Sequence, residues 1–470
     1  MKVLNAVLSL LLVFVYGYLT YLLYDIGILS SLLGVIGIAF LTIVLLLIVI
    51  GMFKLKNKKK IIAYVFYIIL LIVLSVGIYY LKPTKNFIDS FDSSDKKNFD
   101  NYYVVVLKSS KYAKLKDLSN KKIGTCEKIN DKVNKKVNIN FNEEHYNNCQ
   151  LLKEALFQNS VDAMLISDIN EYLLNSTDDD FEKKIRIIYK ISISKKKNIN
   201  KNDNVDVSNI PFTLFISGID TSGAISSVSR SDVNIVVTVN PKTYEILLTT
   251  IPRDYYVRLH GTSGYKDKLT HAGIYGIDKS VSTVEDLINI NLNYYVRVNF
   301  DSVIKLVDEL DGVNIYSDKD LSFCNIKKGY NYLDGKCALR FARERHSYRS
   351  GDRHRGENQE EVIKAIINKA SSSKTIITKY NSILENLQGS FETDISSSDI
   401  KKFINFQAKS MPKWNVKNLN LNGFDSFDYT YSYNSGSKLY VMEPDVNTVK
   451  RANEVIEGML KGKSFKELGL

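Results

Sequence analysis

Arg343 and Arg345 flank Glu344 just before His346, and Asp352, Arg355 and Gln359 follow a short way on. Arginine keeps its charge and presents a planar fork of donors matched to phosphate oxygens. In an extended segment Arg343 and Arg345 point the same way. Arg355 and Gln359, four apart, share one face of the helix expected over residues 353–370. A strand edge, a turn and a helix start would thus bring at least three guanidiniums to one place, and cations packed together want an anion between them. Surface ion pairs with Glu344, Asp352 and Glu357 are the alternative use of the same residues.

Three further groups join the arginines. Asp220 closes an expected strand in a glycine-bearing turn, and Arg230-Ser231-Asp232 leads into the next one. Two carboxylates without a cysteine or histidine cluster suit a hard cation, magnesium or manganese, which takes one or two protein carboxylates and completes its shell with phosphate and water. Either aspartate could instead cap a turn. Arg253 follows Ile251-Pro252, with a structural pair to Asp254 as its alternative. Lys268 and His271, within "KDKLTHAG", could touch substrate oxygens, although a lone histidine also serves as a structural hydrogen-bonder. Together these residues describe a metal-assisted clamp for a diphosphate, because neutralising charge on the leaving phosphate is the main lever in phosphoryl-type transfer.

The elements that must position them alternate in type. Strands are expected at 212–217, 233–239 and 245–250, helices at 281–288 and 300–310, and a further strand after Asp311-Gly312-Val313. That alternation argues for an α/β sandwich around a central sheet over residues 211–465. Functional residues then collect at strand ends, as Asp220, Arg253 and the arginine pair would. Residues 101–194 alternate similarly, with strands at 103–107, 161–166 and 187–193 and a helix at 151–158. They read as a smaller α/β domain with no evident site chemistry, an accessory scaffold. Residues 86–100 and 195–210 read as linkers.

Residues 3–24, 27–53 and 61–81 carry no charge, and each is long enough to span a bilayer core of ~20 residues. Residues 1–85 therefore form a membrane anchor of three transmembrane helices. A cleaved signal peptide fits poorly, since the first apolar run is too long and two more follow. Lys54, Lys56, Lys58, Lys59 and Lys60 lie between the second and third spans, while the first turn carries only Asp25. The positive-inside rule then places the amino terminus in the cytoplasm and about 390 residues outside. The net charge of +12 comes partly from that lysine loop and partly from Lys195, Lys196, Lys197 and Lys201. Nucleic acid fits an exported domain without a binding motif poorly. All four cysteines lie in the exported part, where disulfides persist. Pairing Cys126 with Cys149 and Cys324 with Cys337 keeps each bridge within one domain.

From residue 211 onward the sequence resembles the LytR-CpsA-Psr family of cell-wall enzymes. The resemblance is carried in order by "FISGID", "SRSDVNIVVTVNPKTYEILLTTIPRD", "KLTHAG", "NYYVRVNF", "LVDELDGVNI", "LDGKCALRFARERH" and "GDRHRGENQ". It implies transfer of a glycopolymer, such as teichoic acid, capsule or another wall polysaccharide, from a polyprenyl-pyrophosphate carrier to peptidoglycan through a phosphodiester bond. Carried over by motif, Asp220 and Asp232 would hold magnesium, or manganese. Arg230, Arg253, Lys268, Arg343, Arg345, Arg355 and Gln359 would bind the diphosphate. Arg253, Arg345 and Asp352 would be catalytic, Asp352 by orienting Arg345 or Arg355 or by helping the acceptor hydroxyl lose its proton. Ser222 stands where many members have arginine, two residues after the first aspartate. A non-catalytic regulator or lipid-diphosphate-binding protein of envelope assembly is the alternative function.

Overall fold

The computed structural model describes the chain apart from residues 1, 31, 57, 93–97, 196–204, 220, 222–223, 349–351, 371–382, 384, 387–388, 411–412 and 434–436. Asp220, Ser222 and most of the expected 195–210 linker lie outside the described residues.

Helices α1 (Lys2–Asp25), α2 (Leu32–Lys54) and α3 (Lys58–Asp92) are each long and apolar enough to cross a membrane. They pack on one another through Leu12, Leu19, Met52, Tyr67 and Leu74. Asn5 is buried among them and satisfied, its amide donating to the Met52 carbonyl at 2.6 Å and its oxygen accepting from the Tyr64 hydroxyl at 2.6 Å. α3 continues through Pro83, past residue 85 where the sequence suggests that the anchor ends.

Next comes a five-stranded sheet. Its elements are β1 (Asn98–Leu107), β2 (Lys122–Thr125), α4 (Asp131–Val137), β3 (Asn142–His145), α5 (Cys149–Phe157), β4 (Ala163–Ser167), α6 (Asp168–Thr177), α7 (Phe181–Lys184) and β5 (Ile185–Lys195). The strand order is β3-β2-β4-β1-β5. Successive β1 side chains feed opposite cores, Val104 and Val106 on one side and Val105 on the other, as the two-residue strand period requires. Cys126 and Cys149 are bridged, tying the end of β2 to the start of α5.

The larger sheet is built by β6 (Phe212–Ile219), β7 (Ser231–Asn240) and β8 (Glu245–Thr250). A small ribbon, β9 (Tyr256–Val257) with β10 (Asp267–Lys268), leads into α8 (Leu269–Ala272) and α9 (Ile277–Ile288). There follow β11 (Tyr294–Val298), α10 (Phe300–Glu309), the hairpin β12 (Val313–Ser317) and β13 (Gly329–Leu333), α11 (Gly335–Arg343), α12 (Asp352–Ala370) and β14 (Phe391–Thr393). The chain ends with α13 (Ser397–Ser410), β15 (Asn415–Asn420), the hairpin β16 (Gly423–Asp428) and β17 (Leu439–Pro444), and α14 (Val446–Leu460).

The six strands run β14-β11-β6-β7-β8-β15. β11 pairs parallel with β6 and β15 parallel with β8, whereas β6–β7, β7–β8 and β11–β14 are antiparallel. The mixed sheet is covered on both faces. Phe215, Val236 and Leu247 meet Val281 and Val284 of α9 and Val455 and Ile456 of α14. Ile235, Val237 and Leu248 meet Ile363 of α12 and Phe403 of α13. This is the expected α/β sandwich with a central mixed sheet.

One expectation is corrected. Arg343 is the last residue of helix α11 rather than part of a strand edge. Asp334 caps that helix by accepting from the Cys337 amide at 2.8 Å, and Lys336, Ala338, Leu339 and Arg340 inside it are good helix formers.

Candidate active site

The topology brings the ends of three strands together. β6 runs antiparallel to β7, with Ile219 opposite Ser231, so the end of β6 lies beside the start of β7. β8 also runs antiparallel to β7, with Thr250 opposite Ile235, and the Ile251 amide extends the pairing to the Asn234 carbonyl at 2.9 Å. Asp232 and Arg253 therefore emerge at the same edge of the sheet.

There Arg253 Nη1 donates to Asp232 Oδ2 at 2.8 Å, and Thr270 Oγ1 donates to Asp232 Oδ1 at 3.0 Å. Arg355, on the first turns of α12, is buried and faces the same carboxylate. Burial alone would push the Asp232 carboxyl up, but the charges of Arg253 and Arg355 and the two hydrogen bonds outweigh it and hold the group below the usual carboxylate range. A cleft lined by Asp232, Thr250, Arg253, Arg355, Gln359 and Asn420 opens here.

Two glycines permit the close approaches. A Cβ on Gly356 would stand 3.0 Å from Thr250 Cγ2, so glycine lets α12 lie against the end of β8. A Cβ on Gly273 would stand 2.5 Å from the Ser231 amide nitrogen, so only glycine seats the turn after α8 against the start of β7.

Arg230 is arranged differently. Its Nη2 donates to the Tyr433 hydroxyl at 3.0 Å and its guanidinium lies 5.6 Å from that ring's centroid. His271 packs edge-on to the same ring and hydrogen-bonds Asp267 through Nδ1, the structural role open to a lone histidine. Lys268 is paired with Asp254 Oδ1 at 2.9 Å, and Arg253 Nε lies 3.5 Å from Asp254 Oδ2. The structural pair raised by the sequence is present, and Arg253 bridges Asp254 and Asp232.

The arginine segment is held beside this cluster. Arg343 lies over the Phe300 ring at 4.2 Å, and the Phe300 amide donates to the Thr221 carbonyl, next to Asp220. The Glu344 carbonyl accepts from Asn358 on α12 at 3.4 Å. Arg345 is exposed, with Nε 3.4 Å from His346 Nε2. Arg253, Arg355, Gln359 and Asp232 therefore share one cleft, whereas Arg230, Arg343, Arg345 and Lys268 do not line it. Asp352 opens α12, and its side chain lies outside the described residues.

Three contributors are invisible in the sequence. Thr270 fixes Asp232, and Tyr433, more than 200 residues from Arg230, receives it. Glu360, 1% exposed behind the cleft, accepts from Thr250 at 2.5 Å and from Asn420. Burial pushes its carboxyl up to about 8, against the pull of the Thr250 bond. Nothing in the spacing of these residues marks them.

The Asp232 carboxylate, kept ionised, fits a hard cation that brings its own phosphate ligands, and Glu357 also lines the cleft. Among the described residues each Asp232 oxygen accepts one side-chain hydrogen bond, from Arg253 and from Thr270. No group of three or more His, Cys, Asp or Glu that could enclose a metal occurs among the described residues.

Residues 175–452 match the LytR_cpsA_psr family. A polyisoprenyl-teichoic acid–peptidoglycan teichoic acid transferase, TagU of Enterococcus faecalis, is 35% identical over 218 residues, covering 44% of this chain and 68% of that protein. TagV of Bacillus subtilis, named for the same activity, is 28% identical over 327 residues, 66% of this chain and 78% of that one. The crystal structure of B. subtilis TagV covers 54% of this chain and 98% of its own, at 29% identity and a TM-score of 0.45. The chain belongs to the LytR_cpsA_psr family.

Proposed function

We propose that this protein is a phosphotransferase that moves a glycopolymer from a polyprenyl-pyrophosphate carrier to peptidoglycan; its TagU and TagV relatives are named polyisoprenyl-teichoic acid–peptidoglycan teichoic acid transferases. The observation that carries the proposal is the meeting of Asp232, Arg253 and Arg355 in one cleft of a chain of this family. Arginines gathered around the Asp232 carboxylate suit a diphosphate, whose charge they would neutralise and whose oxygens they would hold in line.

The acceptor hydroxyl oxygen attacks the phosphorus that bears the polymer. The bond from that phosphorus to the bridging oxygen breaks, polyprenyl monophosphate leaves, and the hydroxyl proton passes to a carboxylate, which we assign to Asp352. Arg253, Arg355 and Gln359 bind the diphosphate, with Arg230, Arg343, Arg345 and Lys268 at its margins. Asp232, together with Asp220, would hold magnesium, which supplies electrostatic stabilisation of the leaving phosphate. The lysines at the end of α2, at Lys56 and at the start of α3 orient the anchor so that both α/β sheets stand outside the membrane.

The test uses the full chain in nanodiscs with a synthetic polyprenyl-pyrophosphate saccharide and uncrosslinked peptidoglycan oligomer. Release of polyprenyl monophosphate should depend on the acceptor and fall at least a hundredfold in Arg355→Ala. Equal release by the variant would remove the cleft from the reaction.

A further inference from the structure

The β12–β13 hairpin buries one face and leaves the other open. Val313, Ile315 and Leu333 point into a core with Val307, Leu310, Phe341 and Val362. The opposite face carries Tyr316, Tyr330 and Tyr332, which are 42%, 78% and 61% exposed. The outward face of a solvated antiparallel ribbon ordinarily carries polar residues, and three large rings gathered there mark a contact surface.

The rings are ordered. Tyr316 and Tyr330 are cross-strand partners with ring centroids 5.4 Å apart. Tyr332 is next on the same face of β13, and its ring rests against Gly312. A Cβ at Gly312 would stand 2.9 Å from that ring, and the residue's φ of +82° also favours glycine. Beyond Tyr332 a cleft of about 450 Å³ is lined by Asp308, Asp311 and Asp334 and closed by the Cys324–Cys337 disulfide. That volume falls within the range of small-ligand sites.

The other end of the row adjoins the candidate active site. Directly after β12, the Lys319 ammonium hydrogen-bonds the Ser347 carbonyl, and Asp318 lies 3.7 Å from His354 on the first turn of α12. The tyrosines thus form a track from the Arg345 segment to the acidic cleft.

We propose that this face binds the glycan strand of the peptidoglycan acceptor, an inference that rests on the phosphotransferase reading above. Pyranose rings present apolar faces that stack on tyrosine and hydroxyls and amides that hydrogen-bond to carboxylates and phenols. Charge selects between the two polymers of the reaction. A phosphate-rich donor polymer would be repelled by the three carboxylates that line the cleft beyond Tyr332. An amino-sugar backbone carries no such charge.

The experiment compares full-length wild type with Tyr330→Ala/Tyr332→Ala and Tyr330→Phe/Tyr332→Phe in detergent. Co-sedimentation with purified sacculi stripped of wall polymers is measured first, then KM for the peptidoglycan oligomer and for the lipid donor. The double alanine variant should bind sacculi at least tenfold more weakly and raise the acceptor KM by a similar factor. Its donor KM and melting temperature should not change, and the phenylalanine pair should keep most of the binding. Unchanged sacculus binding, a change confined to donor KM, or a shift in oligomeric state would each overturn the assignment. Sacculus binding needs no catalysis, so loss of the phosphotransferase reading would be seen separately, as absence of transfer by wild type.

Discussion

Arg253 Nη1 and Asp232 Oδ2 are 2.8 Å apart, joining the segment after β8 to the start of β7. Both side chains are less than one-fifth exposed, so the pair is shielded from the solvent that makes surface ion pairs weak. Asp232→Asn would keep the shape and remove the charge that Arg253 and Arg355 share. Transfer is expected to fall by about 10²–10³-fold, the loss typical of one preorganised electrostatic contact. Near-normal turnover of a folded variant, with folding checked by circular dichroism, would exclude Asp232 from the chemistry.

Gly273→Ala separates position from chemistry. The new methyl would face the Ser231 amide nitrogen at 2.5 Å and the Ser229 carbonyl oxygen at 2.9 Å, backbone atoms that cannot swing aside. Overpacking of this kind costs about 1–3 kcal/mol, and relief requires the loop carrying Arg230 and Asp232 to move. A lowered melting temperature together with a tenfold or greater loss of transfer is expected. An unchanged melting temperature would show that the turn yields freely.

Glu360 makes a pH prediction. Its folded value of about 8 lies above the ordinary carboxyl value of 4.5, so the folded state holds a proton that the unfolded state has released. Between those values rising pH therefore destabilises the fold, and above the folded value the penalty is constant. In Glu360→Gln the penalty disappears. The variant should match wild type near pH 4.5 and exceed it by several kcal/mol at pH 9, since each pH unit between the two values contributes about 1.4 kcal/mol. Parallel denaturation curves at both pH values would refute a proton held at Glu360.

Much of this arrangement is legible in the sequence. Strand and helix alternation gives the sandwich, because sheet-covering helices bury period-3.6 stripes and central strands read as apolar runs. Asp232 and Arg253 stand out because charge is unusual beside such runs, Arg355 by its place in an arginine-rich segment and Gln359 by its spacing of four from Arg355, and all four line one cleft. Arg343 is placed wrongly by sequence reasoning, since two arginines spaced by one residue look extended until the Asp334 cap defines α11. Thr270, Tyr433, Glu360 and the tyrosine face are hidden because ordinary residue types acquire their roles through contacts between distant segments.

The proposed magnesium would be held by Asp232, whose carboxyl is kept below the usual carboxylate range in the cleft. Chelation with EDTA should abolish transfer, and magnesium or manganese should restore it. Calcium should restore less, because it favours longer bonds and more ligands than magnesium's near-octahedral shell. Full activity in excess chelator would leave the arginines as the sole source of charge stabilisation.

The most direct test is the linkage in the product. Full-length protein in nanodiscs would be given magnesium, a polyprenyl-pyrophosphate saccharide and uncrosslinked peptidoglycan oligomer, and the conjugate analysed by tandem mass spectrometry. A saccharide joined to the glycan through one phosphate, with one polyprenyl monophosphate released per conjugate, is the expected result. A direct glycosidic link with release of the diphosphate, or intact lipid bound without any conjugate, would contradict phosphotransfer at the Asp232–Arg253–Arg355 cleft.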